Sequence, residues 1–189
     1  MNDLDKKIKI IALFGESASG KDTIQKLLTE EYPLTFNPII SCTTRPKRDN
    51  EEEGVDYYYL TNEQFAENVL NGKMLEATSF NDWFYGTRLQ ELNKDKINVG
   101  VFNIEGIECL LQDNRLEVCP VYIYATDKMR LLRSLSREKN PNCHEICRRF
   151  LADEKDFDYI NFAYITFNNN FDNLIDITKL LNQLNIKII

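Results

Sequence analysis

The chain lacks any apolar run close to the roughly 20 residues that a membrane-crossing helix needs. It lacks a basic excess as well: its net charge is −7, which argues against a protein that grips nucleic acid through phosphates. The first residues, MNDLDKKIKI, lack the apolar core of a secretory signal. There is no internal repeat, no low-complexity segment and no Gly/Ser-rich linker. The five cysteines (Cys42, Cys109, Cys119, Cys143 and Cys147) are an odd number without disulfide-framework spacing. Reduced thiols in a cytoplasmic protein are therefore the expectation. Cys143 and Cys147 stand at i, i+4 and share a helical face, but His144 does not share it. With no second cluster to complete four ligands, ordinary helix-side thiols are a better account than a metal site.

What is present reads as one α/β domain of 189 residues, 43% hydrophobic and 28% charged. IKIIALF at 8–14 is a nearly continuous apolar run, as a strand buried on both faces should be. Lys21 to Glu31 then reads as a helix stopped by Pro33. Further buried strands are expected over 38–42, 97–104, 118–125 and 163–167. Helices are expected over 62–71, 87–94, 105–112, 127–138, 144–157 and 170–184. Strand followed by helix, repeated, implies a parallel sheet flanked by helices. The polar stretch 41–86, rich in Tyr and Glu, reads as a small insertion beside that sheet.

The turn after the first strand is GESASGKDT, Gly15 to Thr23. A strand, then Gly15-x-x-x-x-Gly20-Lys21, then a helix is the context of a phosphate-binding loop. Glycine lets the backbone turn its N–H groups toward phosphate oxygens, and the helix N-terminus adds partial positive charge. Lys21 supplies a full charge at the β- and γ-phosphates. A ligand-free strand-to-helix turn is the plain alternative; strand, spacing, Lys and helix together favour phosphate. The usual Ser or Thr after Lys, which touches magnesium, is here Asp22.

The segment SCTTRPKRDNEEEGVDYYYL carries Ser41, Arg45, Arg48, Glu51, Asp56 and Tyr57. Downstream follow GKMLE ending at Glu76 and FYGT over Phe84 to Thr87. A monophosphate dianion needs several directed donors, and Arg forks with Tyr hydroxyls supply them. Arg45 and Arg48 as a solvated basic patch beside the glutamates are the competing account. In order and spacing these motifs resemble the guanylate kinases, and the resemblance runs from the phosphate loop to the last helix. That resemblance implies guanine at Glu76, whose carboxylate suits the two donors, N1–H and the N2 amino group, on one edge of that base.

The resemblance implies a P-loop-type parallel sheet with a mixed GMP-binding insertion and a helical lid. It implies a core over 1–40, 87–132 and 155–189, an acceptor region over 41–86 and a lid over 133–154. It implies ATP-dependent phosphoryl transfer to GMP or dGMP, with Mg2+ accompanying ATP. The GMP-side positions are Ser41, Arg45, Arg48, Tyr57, Glu76, Tyr85, Thr87 and Glu105. The ATP-side positions are Gly15, Ser17, Ser19, Gly20, Lys21, Asp22, Thr23 and Asn168. Catalytic positions are Lys21 with the lid arginines Arg133, Arg137 and Arg149, whose planar cations suit charge spread over phosphoryl oxygens. The expected partners are these nucleotides, with no nucleic-acid polymer and no membrane, in a monomer or homodimer.

Two positions depart from the family pattern, and both concern the metal. Guanylate kinases place Ser where this chain has Asp22, and Asp-Ile-Asp where it has Asn103-Ile104-Glu105. Asp22, directly or through water, is a candidate ligand, and Asn103 a candidate to orient a metal-bound water. The two changes keep one negative charge near the metal. The same pair resembles ribose 1,5-bisphosphate phosphokinase, and Lys-Asp-Thr resembles phage-type deoxynucleotide kinases. A kinase for another phosphorylated acceptor is thus the alternative. A non-catalytic binding module of the same fold, which usually loses the loop Lys, is the third.

Overall fold

The computed structural model describes residues 6–48, 51–80, 82–137, 139–170 and 175–188. β1 (Ile8–Phe14) lies at the centre of a five-stranded, all-parallel sheet. Its neighbours are β7 (Ile97–Val101) and β8 (Leu116–Tyr124). β2 (Phe36–Pro38) and β9 (Ile165–Asn168) form the edges. Both faces of β1 are buried, which explains its unbroken apolar sequence. Ile11 and Leu13 meet α1 (Lys21–Glu31) and α6 (Ile177–Gln183) through Ile24, Leu28, Ile177 and Leu180. Ile10, Ala12 and Phe14 face the other way, toward Ile107 and Leu110 of α3 (Ile104–Gln112).

A second sheet of four strands sits apart in the sequence order. It runs β4 (Tyr58–Tyr59), β3 (Cys42–Thr43), β6 (Trp83–Arg88), β5 (Met74–Phe80). Here β3 and β4 are parallel, while β6 runs antiparallel to both β3 and β5. Helix α2 (Asn62–Leu70) precedes β5, started by a capping box between Thr61 and Gln64. Two further helices, α4 (Asp127–Ser136) and α5 (Cys143–Asp156), follow β8. Among the described residues no helix is long and apolar enough to cross a membrane. All five cysteines are free, with Cys143 and Cys147 exposed.

Several element boundaries differ from expectation. No single strand spans 38–42: β2 ends at Pro38, and β3 begins at Cys42 in the other sheet. Pro38 has no N–H to donate to a further ladder. Gln25 secures the gap, donating Nε2 to the carbonyls of Ile39 and Val99 at 2.8 and 2.9 Å. The expected helix over 87–94 is not formed either. Thr87 and Arg88 complete β6 opposite Glu76 and Met74, leaving one short 3-10 turn, Leu89–Glu91. β7 stops at Val101 rather than 104, because Asn103 caps α3. The expected helix over 170–184 is realised as α6 alone; its stretch 171–174, like Glu138 at the end of the helix expected over 127–138, lies outside the described residues.

Buried Asn98 shows how a polar group fixes this architecture. Its Oδ1 accepts from Asn37 Nδ2 and the Asn93 amide, and its Nδ2 donates to the carbonyls of Lys9 and Asn93. A same-sized apolar residue would strand those partners in a buried site. Asn98→Leu is expected to destabilise the fold by about 2–3 kcal/mol in urea unfolding.

Candidate active site

The phosphate loop joins β1 to α1 through three positive φ angles: Gly15 at 142°, Ala18 at 61° and Gly20 at 101°. A β-carbon on Gly15 would lie 2.6 Å from the Ile123 carbonyl oxygen, and one on Gly20 2.3 Å from Asn169 Nδ2. Both glycines are thus required by conformation and by space. Lys21 folds back on the loop, donating Nζ to the carbonyls of Gly15 and Glu16 at 2.7 and 2.9 Å. Burial lowers its pKa, and the charges of Arg137 and Arg130 push the same way. An amine so buried gains most from added anionic partners, which favour its charged form. Ser19 is fully buried with its hydroxyl unpartnered, whereas Asp22 and Thr23 are exposed in the first turn of α1.

Opposite the loop, Arg45 and Arg48 converge on one carboxylate. Arg45 makes a forked pair with Glu51, at 2.9 and 2.8 Å, and lies over the rings of Tyr57 and Tyr59. The Arg48 amide and the Tyr59 hydroxyl donate to the same carboxylate, at 2.9 and 2.8 Å. Against burial, these bonds hold the Glu51 carboxyl at about 2. Burial pushes the Tyr57 phenol up, keeping it a neutral donor beside Tyr85, whose ring centroid is 6.1 Å away. Glu51 is the organiser of this cluster, and Tyr59 its unforeseen member. The alternation of β4 could have suggested Tyr59, since it emerges on the same face as Tyr57.

Glu76 sits at an irregular point of β5, opposite Thr87, and is only 8% exposed. Gly106 allows α3 to approach it closely: a β-carbon there would stand 3.4 Å from Glu76 Oε2. Burial raises the Glu76 carboxyl to about 7; Thr87 opposes the shift and the charge of Glu105 adds to it. Ser41 is half-buried at the start of β3, where its carbonyl accepts the Tyr58 amide. Asn103 has local work: its Oδ1 accepts the Gly106 amide at 2.7 Å, and its Nδ2 donates to Thr78 Oγ1 at 2.9 Å.

On α5 and along and just beyond α4 the arginines divide. Arg137 and Arg149 line the main cavity, of about 950 Å3, together with Ser17, Asp22, Thr23, Arg45, Arg48, Tyr57 and Tyr85. Arg133 turns to the loop backbone instead, donating to the carbonyls of Ser19 and Asn169 at 3.2 and 2.8 Å. Arg133, Lys21, Asn103 and the four residues Ser41, Glu76, Thr87 and Glu105 are not part of that cavity's lining. Asn168 is exposed and bonds Asn170, while its neighbour Asn169 is buried and donates Nδ2 to the Ser19 carbonyl at 2.7 Å. Nothing in the sequence separated these adjacent asparagines.

The residues that the sequence left unassigned are Arg130 and Asp153. Arg130 is 2% exposed and donates Nε to the Ser17 carbonyl at 3.0 Å. Its guanidinium pairs with Asp153, with Glu16 at 2.9 Å and with Asp127 at 3.0 Å, and lies 4.3 Å over the Phe150 ring. Asp153 in turn accepts the Ser17 amide and hydroxyl at 2.8 and 3.1 Å. The loop is thereby joined to both α4 and α5.

Comparison with known proteins agrees with this geometry. A family model described as guanylate kinase matches residues 7–184. A guanylate kinase of Wigglesworthia glossinidia brevipalpis is 32% identical over 181 residues, covering 92% of this chain and 86% of its own length. One from Chlamydia felis is 27% identical over 178 residues, covering 90% and 85%. The crystal structure of guanylate kinase from Anaplasma phagocytophilum matches the fold with a TM-score of 0.62 at 19% identity, over 97% of this chain and 86% of that one. A family match over nearly the whole chain and a relative above 30% identity lead to one conclusion: the chain belongs to the guanylate kinase family.

Proposed function

We propose that this chain transfers the terminal phosphoryl group of ATP to GMP or dGMP, giving ADP and GDP or dGDP. The observation that carries the reading is the second sheet. It holds a buried carboxylate, Glu76, outside the main cavity's lining, and beside it an arginine–tyrosine cluster lines that cavity together with Ser17, Ala18, Asp22 and Thr23 of the loop and α1. Glu76 as carboxylate accepts guanine N1–H and the N2 amino group, with Ser41, Thr87 and Glu105 beside the base. Arg45, Arg48, Tyr57 and Tyr85 hold the acceptor phosphate. The amides of the loop, with Ser17, Ser19 and Thr23, receive the donor phosphates. Lys21 leaves its two carbonyls for the β/γ oxygens. A GMP oxygen attacks in line, and Arg137 and Arg149 neutralise the charge that develops on the phosphoryl oxygens. Arg133 and the pair Asn168–Asn169 border the end of the loop where ATP enters. We place the enzyme in the cytoplasm, where its five free thiols stay reduced.

Magnesium fits the residues present. Among the described residues there is no group of three or more His, Cys, Asp or Glu side chains able to hold a metal by themselves. Magnesium arriving with ATP needs no such cage, because one or two carboxylates, waters and the phosphates suffice. Asp22, exposed on α1 and facing the cavity, is the carboxylate we assign to it. When bound, the ion would supply positive charge that offsets the charge on the donor phosphates. Asn103 serves through water, while capping α3. An Asp at 103 would preserve that cap, so the coupling with residue 22 is testable. Asp22→Ser is expected to lower kcat about tenfold, and adding Asn103→Asp to restore part of it. Independent, multiplying losses would disprove the coupling.

Asp22 and Asn103 also favour a second reading, a kinase for another phosphorylated acceptor. ADP release from Mg-ATP with GMP, dGMP, AMP, UMP and ribose 1,5-bisphosphate separates the two. Turnover with GMP or dGMP above the others is expected. GMP binding without turnover would instead mark a binding module.

Glu76 gives a pH test. Guanine recognition needs the carboxylate, so KM for GMP is expected to fall as pH rises through about 7. Glu76→Gln, which keeps one acceptor only, should raise KM for GMP at least about tenfold and remove that pH dependence. Stability moves the opposite way. The folded carboxyl titrates near 7 against an ordinary 4.5, so the fold holds the extra proton between those values. The free enzyme should lose up to about 3 kcal/mol between pH 4.5 and 7, and Glu76→Gln should flatten that decline in urea titrations.

A further inference from the structure

Glu145 lies on α5 one turn before Arg149, and three bonds tie it down. Arg148 donates Nε and Nη2 to its two oxygens, at 2.7 and 2.9 Å. Arg149 donates Nε to Oε1, at 2.8 Å. The hydrogen bond from Arg148, joined by that of Arg149, holds the Glu145 carboxyl at about 2, so it is anionic throughout the working pH range. Arg148 therefore fixes the plane of the carboxylate, and the carboxylate fixes one edge of Arg149. The Arg149 guanidinium is planar, so anchoring Nε sets its orientation: Nη2 shares the anchored edge, while Nη1 and the outer N–H of Nη2 point away from Glu145. Among the described residues no protein acceptor engages those nitrogens. Arg149 lines the main cavity and also the smaller one, of about 220 Å3, between the β5–β6 hairpin and α5. It stands close enough to Arg48 for its charge to lower that group's pKa, after burial.

We propose that Glu145 is a positioning residue for phosphoryl transfer. It holds Arg149 by Nε so that Nη1 and the outer N–H of Nη2 face the phosphoryl oxygens, and Arg148 braces it. The inference rests on the reading of Arg149 given above. A purely structural role is a poor account, because the Glu145 and Arg149 side chains are 37% and 31% exposed. Pairs so exposed contribute little to stability. Helix α5 does not need the carboxylate for its start either: Asn142 caps it by accepting the backbone amide of residue 145.

The test is a double-mutant cycle in steady-state turnover with Mg-ATP and GMP, with thermal melting of each variant. Glu145→Ala should lower kcat roughly fivefold, with both KM values within about twofold and Tm within about 2 °C. Glu145→Gln should recover more than half of the loss, since its amide oxygen still accepts from Nε. In an Arg149→Ala background, Glu145→Ala should change kcat by less than about twofold. An equal loss in both backgrounds, with or without a drop in Tm, overturns the inference and leaves the role of Arg149 intact. No loss in the wild-type background does the same. If Arg149→Ala alone leaves kcat unchanged, both the role of Arg149 and the inference fall.

Discussion

Arg130 brings a full positive charge to a place where water scarcely reaches, and the phosphate loop is built around it. Desolvating a guanidinium is tolerable only if its donors find acceptors nearby. Three carboxylates and the Ser17 carbonyl meet that need. They come from the loop, from α4 and from α5, three segments that share no sequence neighbourhood. The pair with Asp153 therefore does more than neutralise a charge. Because Asp153 also takes the Ser17 amide and hydroxyl, the tip of the loop and the lid helices share one set of hydrogen bonds. Arg149 lies one turn before Asp153 on the same face of α5, and Arg133 and Arg137 follow Arg130 on α4 and just beyond its end.

The same device recurs at the acceptor side with less burial. Glu51 gathers Arg45, Arg48 and Tyr59, and Glu145 gathers Arg148 and Arg149. Cations so close would otherwise repel one another, as Arg45 and Arg149 do Arg48. A carboxylate between them lowers that repulsion and orients the guanidinium groups, in Arg45 by taking both terminal nitrogens. Lys21 follows the same logic with backbone carbonyls in place of carboxylates. Glu76 is the exception, buried without a cation and raised for that reason.

The fold was legible where one physical cause dominates. A strand buried on both faces must be apolar throughout, so 8–14 could be read directly, and Gly15, Gly20 and Lys21 followed from strand, spacing and helix. Legibility failed where a residue's state depends on a distant partner. Thr87 and Arg88 have helix-compatible neighbours in sequence, yet pairing with Glu76 and Met74 holds them in a strand. Asn168 and Asn169 are indistinguishable in composition, and only β9's position beside the loop decides which one is buried.

By itself the sequence showed a phosphate-loop pattern, with Gly and Lys at fixed spacing between strand and helix; the acceptor cluster and the guanine-matching carboxylate came only with the resemblance to guanylate kinases. Tertiary structure decided which charges act and which brace. Arg130, Arg133 and Arg137 share one helical spacing, but one is sunk against Asp153, one rests on loop carbonyls and one opens on the cavity. Local spacing sets the face on which a side chain emerges. The segments that meet that face, brought together across more than a hundred residues, set what it can do.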